Sequence, residues 1–224
     1  MNIAIFGASG MVGQGAIRVC LNDPEVQRVV SVVRAPTGIR HGKLREVLHL
    51  DFLDFAPIEN ELTDLDACLY CLGVSSSGMN EESYARVIYG FTIAAANTLL
   101  RGNPSLCFVF VSGAGTDSTE RGRVMWARVK GKTENALLAM PFRAAYMFRP
   151  GIIQPLDGIE SKTPSYRILY RYSAPLLTLM RHIFPRYVVT TNELGCAMLA
   201  AAKRGEEKRV VEANDIRALP GQLS

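Results

Sequence analysis

Residues 3–15 read IAIFGASGMVGQG. An apolar run ends at a glycine, two more glycines follow at intervals of three, and the chain then continues in residues suited to a helix. A strand running through glycines into a helix is the pattern that cradles a dinucleotide. Gly7 permits a tight turn. Gly10 lets the backbone approach a pyrophosphate, whose charge favours a helix N-terminus. Gly13 lets the helix pack closely on the sheet. Ser9, Met11 and Val12 lie between these glycines and count with them as cofactor-binding positions.

The rest of the chain repeats this alternation of short apolar runs and longer helical patterns. RVVSVVR, EVLHLDF, DACLYCLG, LCFVFVSG and AAYMFRPG read as the second to sixth strands, and SYARVIYGFTIAAANTLL as one long helix. The runs are almost continuously apolar, as expected of strands covered by helices on both faces. The fold class is therefore α/β, a doubly wound parallel sheet of Rossmann type. One domain spans residues 1–224, and residues 151–224 form its substrate-side region. After Pro150, GIIQPLDGIESKTP reads as loop. The basic amphipathic stretch from Tyr166 to Phe184 reads as a cover over the substrate pocket, the alternative being a face for membrane or a partner. Thr190 and Glu193 form a capping box for a late helix that Gly205 ends, and RVVEAND reads as a last strand.

Composition sets outer limits. A chain of 224 residues with 48% hydrophobic content can bury a sizeable core. The net charge of +4 is spread among mixed signs, which argues against a nucleic-acid groove. The apolar stretch around Leu176 is broken by Pro175, Arg181, His182 and Pro185, so it does not read as a membrane span. The opening residues carry no basic leader before a long apolar run, so no secretory signal is read. Five cysteines without disulfide-scaffold density fit a reducing compartment, taken as the cytoplasm. Cys68 and Cys71 have redox-pair spacing, but they lie in a strand pattern and should point to opposite faces. No residue set reads as a metal site.

Arg34 closes the second strand, where an acidic residue would bind the ribose hydroxyl of NAD. A guanidinium there suits the 2′-phosphate of NADP, so NADP is expected over NAD. Arg40, Lys43 and Arg45 read as ordinary solvated loop charges. Asp51 and Phe52 end the third strand, where an adenine edge would be met. Leu72 and Gly73 end the fourth, where a small residue lets backbone approach the cofactor.

The glycine pattern, CLGVSS, FVSGAG, VKGKTE and FRPGII together resemble the atypical and extended short-chain dehydrogenases/reductases. Within them the NmrA-like and Tat-interacting oxidoreductase-like branches, related to epimerases and dehydratases, look most similar. The resemblance covers about the first 155 residues and the VVTTNELGCAML region. It implies a nicotinamide cofactor, contacts to it from Lys130 and Pro150, and a catalytic Ser or Thr near Ser112. It also implies Lys130 and a tyrosine at position 126 as catalytic residues, but that position holds Trp126.

The exchange matters chemically. Hydride delivery to a carbonyl makes an oxyanion that needs a proton, and a tyrosine beside a cation can supply it. An indole donates a hydrogen bond but does not titrate usefully. Trp126 can polarise a carbonyl or stack on a ring, while Lys130, four residues on, shares its helix face. The proton must come from water or another side chain. Thr116 is the fallback for Ser112, and Tyr84, Tyr166, Tyr170, His41 and His182 read as packing or surface. Two functions follow: an NADP-dependent oxidoreductase acting on an unknown small carbonyl or alcohol, or a non-catalytic NADP sensor that signals to a protein partner.

Overall fold

The computed structural model describes residues 1–155 and 188–219. Five of the apolar runs become strands buried on both faces: β1 (Asn2–Phe6), β2 (Arg28–Val33), β4 (Ala67–Tyr70), β5 (Cys107–Val111) and β6 (Ala144–Arg149). The edge strand β3 (Leu44–Leu48) is only half covered. With β9 (Val210–Glu212) they form one seven-stranded sheet, ordered β3-β2-β1-β4-β5-β6-β9. Every pairing is parallel. The expected doubly wound α/β sheet is present. Strand order reverses between β1 and β4, and the carboxyl ends of all these strands share one edge, where ligands of such sheets bind.

The strand period of two divides the core into layers. Ile3, Ile5, Leu69 and Val109 face one side, with Ile17 of α1 (Met11–Asn22) and Met198 of the late helix α5 (Thr191–Arg204). Phe6, Tyr70, Phe108 and Phe110 face the other, with Leu99 of α3 (Phe91–Gly102) and Leu137 of α4 (Met125–Ala139). Cys68 belongs to the second layer and Cys71 packs against the first. Burial pushes both thiols up, so neither is a ready thiolate. All five cysteines are free.

Helices α1 and α5 cross at glycines. A Cβ on Gly15 would lie 2.6 Å from the Thr191 carbonyl oxygen, and one on Gly195 3.2 Å from the Gly15 oxygen. The capping box of α5 is formed as expected: Thr190 Oγ1 accepts from the Glu193 amide at 3.0 Å, and the Glu193 carboxylate accepts from the Thr190 amide at 2.8 Å. Gly205 closes the helix.

Several boundaries differ from the sequence reading. Strand β2 stops at Val33, leaving Arg34 as the first residue beyond it. Strand β3 stops at Leu48, so Asp51 and Phe52 do not end it. The His49 ring nitrogen Nε2 meets the carbonyls of Asp51 and Asp54, each at 2.7 Å, and this turns the chain back. Strand β4 likewise ends at Tyr70, before Leu72 and Gly73. The expected single long helix is divided into α2 (Glu81–Ala85), a π-helical segment (Arg86–Gly90) and α3. Such segments disturb the helical ladder locally. Ile152–Gln154, expected as loop, is strand β7, paired in parallel with β8 (Val188–Thr190) in a separate small sheet. A last short helix, α6 (Ala213–Ala218), follows β9. The expected pocket cover from Tyr166 to Phe184 lies outside the described residues.

Helix α4 is held tightly against the segment that precedes it. A Cβ on Gly131 would fall 1.8 Å from the Asp117 carbonyl oxygen. This is backbone, and it cannot yield as a flexible side chain would. Gly131→Ala should therefore cost about 1–3 kcal/mol in denaturant unfolding, the usual penalty for overpacking. Gly42→Ala, whose Cβ meets nothing within 4 Å, should stay within about 0.5 kcal/mol of wild type.

Candidate active site

The site is assembled from the loops that leave the common sheet edge. Gly7 takes φ +79°, a left-handed conformation that disfavours side chains. A Cβ there would also lie 2.6 Å from the backbone of Leu72. The turn after β1 thus touches the turn after β4 directly. The Gly10 amide donates to the Gly7 carbonyl at 2.9 Å, and a Cβ on Gly13 would fall 2.2 Å from that same oxygen. Helix α1 therefore begins pressed against the end of β1, and Ser9, Met11 and Val12 lie in the turn and first helical residues between.

On the β2 side, Arg34 is exposed just past its strand. Lys43 donates to the Asp23 carbonyl at 2.8 Å, and Arg45 pairs with Glu61. These two charges are engaged away from the glycine turn, while Arg40 is exposed. Between α1 and the segment after β2 lies a cavity of about 320 Å³, lined by Ser9, Gln14, Arg18, Pro36, Thr37 and Ile39 among others. Sequence reasoning passed over Gln14, Arg18 and Thr37. Gln14 and Arg18 share a helix face by their spacing, but only the folded chain brings Thr37 opposite them. Phe52 is buried among Phe55 and Phe91, with ring centroids at 5.7 and 5.8 Å, so its ring is committed to the core. Asp51 is exposed, and its carboxylate accepts from the Leu53 amide. Gly73 is exposed beyond β4, next to half-buried Leu72.

On the β5 side, the residues singled out around α4 converge. Lys130 Nζ donates to the Ser112 carbonyl at 2.6 Å. Ser112 and Thr116 share a hydroxyl–hydroxyl hydrogen bond of 2.8 Å, so the two serine/threonine candidates form one pair. Gly113 and Gly115 leave open the wall in front of α4. A Cβ on Gly113 would sit 3.7 Å from Lys130 Nζ, and one on Gly115 3.6 Å from the Trp126 ring. Trp126 and Lys130 thus line one surface, as their spacing implied. The Ala114 amide takes up the Pro150 carbonyl at 2.9 Å, tying the end of β6 to this loop. Tyr84 is buried in the core, and desolvation pushes its phenol up to about 12. His41 is exposed and accepts from the Lys43 amide. Tyr166, Tyr170 and His182 lie outside the described residues.

A buried ion pair that the sequence did not announce fixes α4. Arg149 of β6 binds Glu134 through two nitrogens at 2.5 and 3.0 Å, and also reaches Ser118 at 2.6 Å and Glu212 at 3.1 Å. Glu134 is 1% exposed and lies one turn beyond Lys130. Desolvation pulls the Lys130 ammonium down to about 8, and the Glu134 charge opposes that shift only partly.

The whole fold places this chain among known structures. No protein-family model matches it. A short-chain dehydrogenase/reductase family oxidoreductase from Burkholderia thailandensis superposes with a TM-score of 0.73 at 15% identity, covering 97% of this chain and 92% of that one. The UDP-glucuronic acid 4-epimerase from Bacillus cereus, solved with NAD, gives 0.66 at 12% identity over 95% and 76%. The fold is that of the short-chain dehydrogenase/reductase and epimerase proteins. Among curated sequences, the mitochondrial protein FMP52-1 of Scheffersomyces stipitis is 23% identical over 190 residues, 82% of this chain and 83% of its own. The mitochondrial protein fmp52-1 of Aspergillus terreus is 26% identical over 180 residues, 77% and 74%. These mitochondrial names overturn the cytoplasmic expectation. Free thiols report a reducing environment, and that alone does not separate one reducing compartment from another. Among the described residues no helix is long and apolar enough to cross a membrane.

The lysine has a consequence for stability. Its folded value of about 8 lies below its ordinary 10.5, so between these values the unfolded chain binds more protons than the folded one. Folding stability contributed by Lys130 must then rise with pH across that window. Denaturant unfolding of wild type and Lys130→Met at intervals from pH 7.5 to 11 checks this, roughly bracketing the two values. Wild type should gain on the variant as pH rises; a constant difference would contradict the assignment.

Proposed function

We propose that the chain binds a nicotinamide dinucleotide, NADP(H) in preference to NAD(H), and works as an oxidoreductase on a small carbonyl or alcohol. The observation that carries this reading is the β1–α1 turn at the sheet's switch point. Gly7, Gly10 and Gly13 let the turn close on the loop after β4 and on the start of α1 without intervening side chains, which leaves backbone and the α1 N-terminus to meet a pyrophosphate. Ser9, Met11 and Val12 would present the turn to the phosphates. Asp51, Phe52, Leu72 and Gly73 would flank the adenosine half through the loops after β3 and β4, Phe52 by its backbone. Lys130 and Pro150 would meet the nicotinamide half.

Preference for NADP rests on Arg34, an exposed guanidinium at the end of β2 with no acidic residue in its place. A bound nicotinamide supplies or accepts hydride. The protein's share is to hold a carbonyl against Ser112, Thr116 and Lys130. Trp126, in place of a titratable phenol, favours a second reading in which the fold senses NADP and presents that state to a partner. The mitochondrial names of the fungal relatives extend to this chain in either reading.

Titration calorimetry with NADPH and NADH tests the cofactor assignment. A charge-assisted hydrogen bond contributes about 1.5–3 kcal/mol, so wild type should bind NADPH roughly ten- to a hundredfold more tightly than NADH. Arg34→Ala should erase most of that difference without weakening NADH. Equal affinities in wild type would remove the basis for NADP.

A further inference from the structure

We propose that Lys130 hands the proton directly to the oxygen of the carbonyl being reduced, taking the part that the indole at position 126 cannot play. The inference rests on the oxidoreductase reading above and concerns this chain's own residues.

The geometry supports the role. Lys130 Nζ spends one N–H on the Ser112 carbonyl at 2.6 Å, and an ammonium has three. Gly113 places no side chain in front of it. Trp126, on the same helix face, packs opposite Gly115 and, among the described residues, leaves the lysine as the titratable group on this wall.

Among the described residues, the surrounding charges are committed elsewhere. On α4, Glu134 is bound by Arg149 of β6, Arg128 pairs with Glu81 of α2, and Lys132 lies over the Tyr89 ring of the π-helical segment. Asp117 of the preceding loop accepts from Thr119 and the Gly122 amide. Tyr84 of α2 is a buried phenol, and Ser112 and Thr116 pair as neutral hydroxyls. Desolvation brings the ammonium to about 8, within range of an acid that works near neutrality.

A bound reduced nicotinamide would supply hydride to the carbonyl carbon and be oxidised in doing so. The carbonyl π pair moves to oxygen, and that oxygen takes a proton from the Lys130 ammonium. The neutral amine left behind is reprotonated from solvent.

The test combines a titration without cofactor and a reaction with it. In the cofactor-free protein, nitrogen-15 lysine spectra should show one ammonium titrating near pH 8, a signal absent in Lys130→Arg. In single-turnover NADPH oxidation with nitrobenzaldehyde, the wild-type rate should fall about tenfold per pH unit above that midpoint. Lys130→Arg keeps the positive charge but gives up no proton near neutral pH. It should still bind NADPH by calorimetry and lose about 10²–10⁴-fold in rate, with no pH dependence left.

A merely positional or ribose-holding lysine would be rescued by arginine, and that result would overturn the proposal. So would a wild-type rate that is flat with pH, a lysine titrating only near 10.5, or bound NADPH that reduces none of the aldehyde. Failure of wild type to bind NADPH at all would instead defeat the underlying oxidoreductase reading.

Discussion

The carbonyl oxygen of Gly7 is the point on which the site geometry turns. It accepts the Gly10 amide, and it stands where a side chain on residue 13 would have to be. The left-handed turn at Gly7 brings the end of β1 against the backbone of Leu72, so the loops after the two central strands meet without intervening side chains. Strand order reverses at this place. A methyl group at Gly7 or Gly13 would therefore separate the first helix from the sheet or the first loop from the fourth. Both movements would spoil the crevice in which such sheets hold ligands.

The opposite wall depends on a different interaction. Helix α4 carries Trp126 and Lys130, and its orientation is set by the buried Arg149–Glu134 pair together with the close approach of Gly131 to Asp117. A buried carboxylate is tolerable only when paired and hydrogen-bonded, and here one guanidinium joins β6, α4, β9 and the loop after β5. The same arrangement puts a negative charge one turn from Lys130. It is neutralised by Arg149, and burial of the lysine outweighs it. The ammonium is thus held close to its titration point, although a carboxylate lies nearby.

Much of this was legible in the sequence because it is local. The glycine spacing, the continuous apolar strands, the Thr190–Glu193 capping box and the shared face of Trp126 and Lys130 all depend on residues a few positions apart. The features that were not legible depend on distant partners. Strand β7 exists because Ile152 finds Val188, a partner distant in sequence. Gly15 and Gly195 matter only when α1 and α5 cross. Thr37 joins Gln14 and Arg18 around a cavity only after β2 has paired with β1. The early end of β3 came from His49 folding back on Asp51 and Asp54, a contact that strand propensity does not encode. The cytoplasmic reading failed for another reason: cysteine usage speaks of redox state, and the relatives' names speak of place.

The chain has a single tryptophan, and it stands on the wall where the nicotinamide would lie. Energy transfer from Trp126 to NADPH therefore tests most directly whether the glycine turn and α4 serve one bound dinucleotide. Excitation of the indole during an NADPH titration should quench Trp126 emission and raise nicotinamide emission, with the same saturation seen by calorimetry. NADPH binding that leaves Trp126 emission unchanged would put the nicotinamide away from Lys130 and contradict the account.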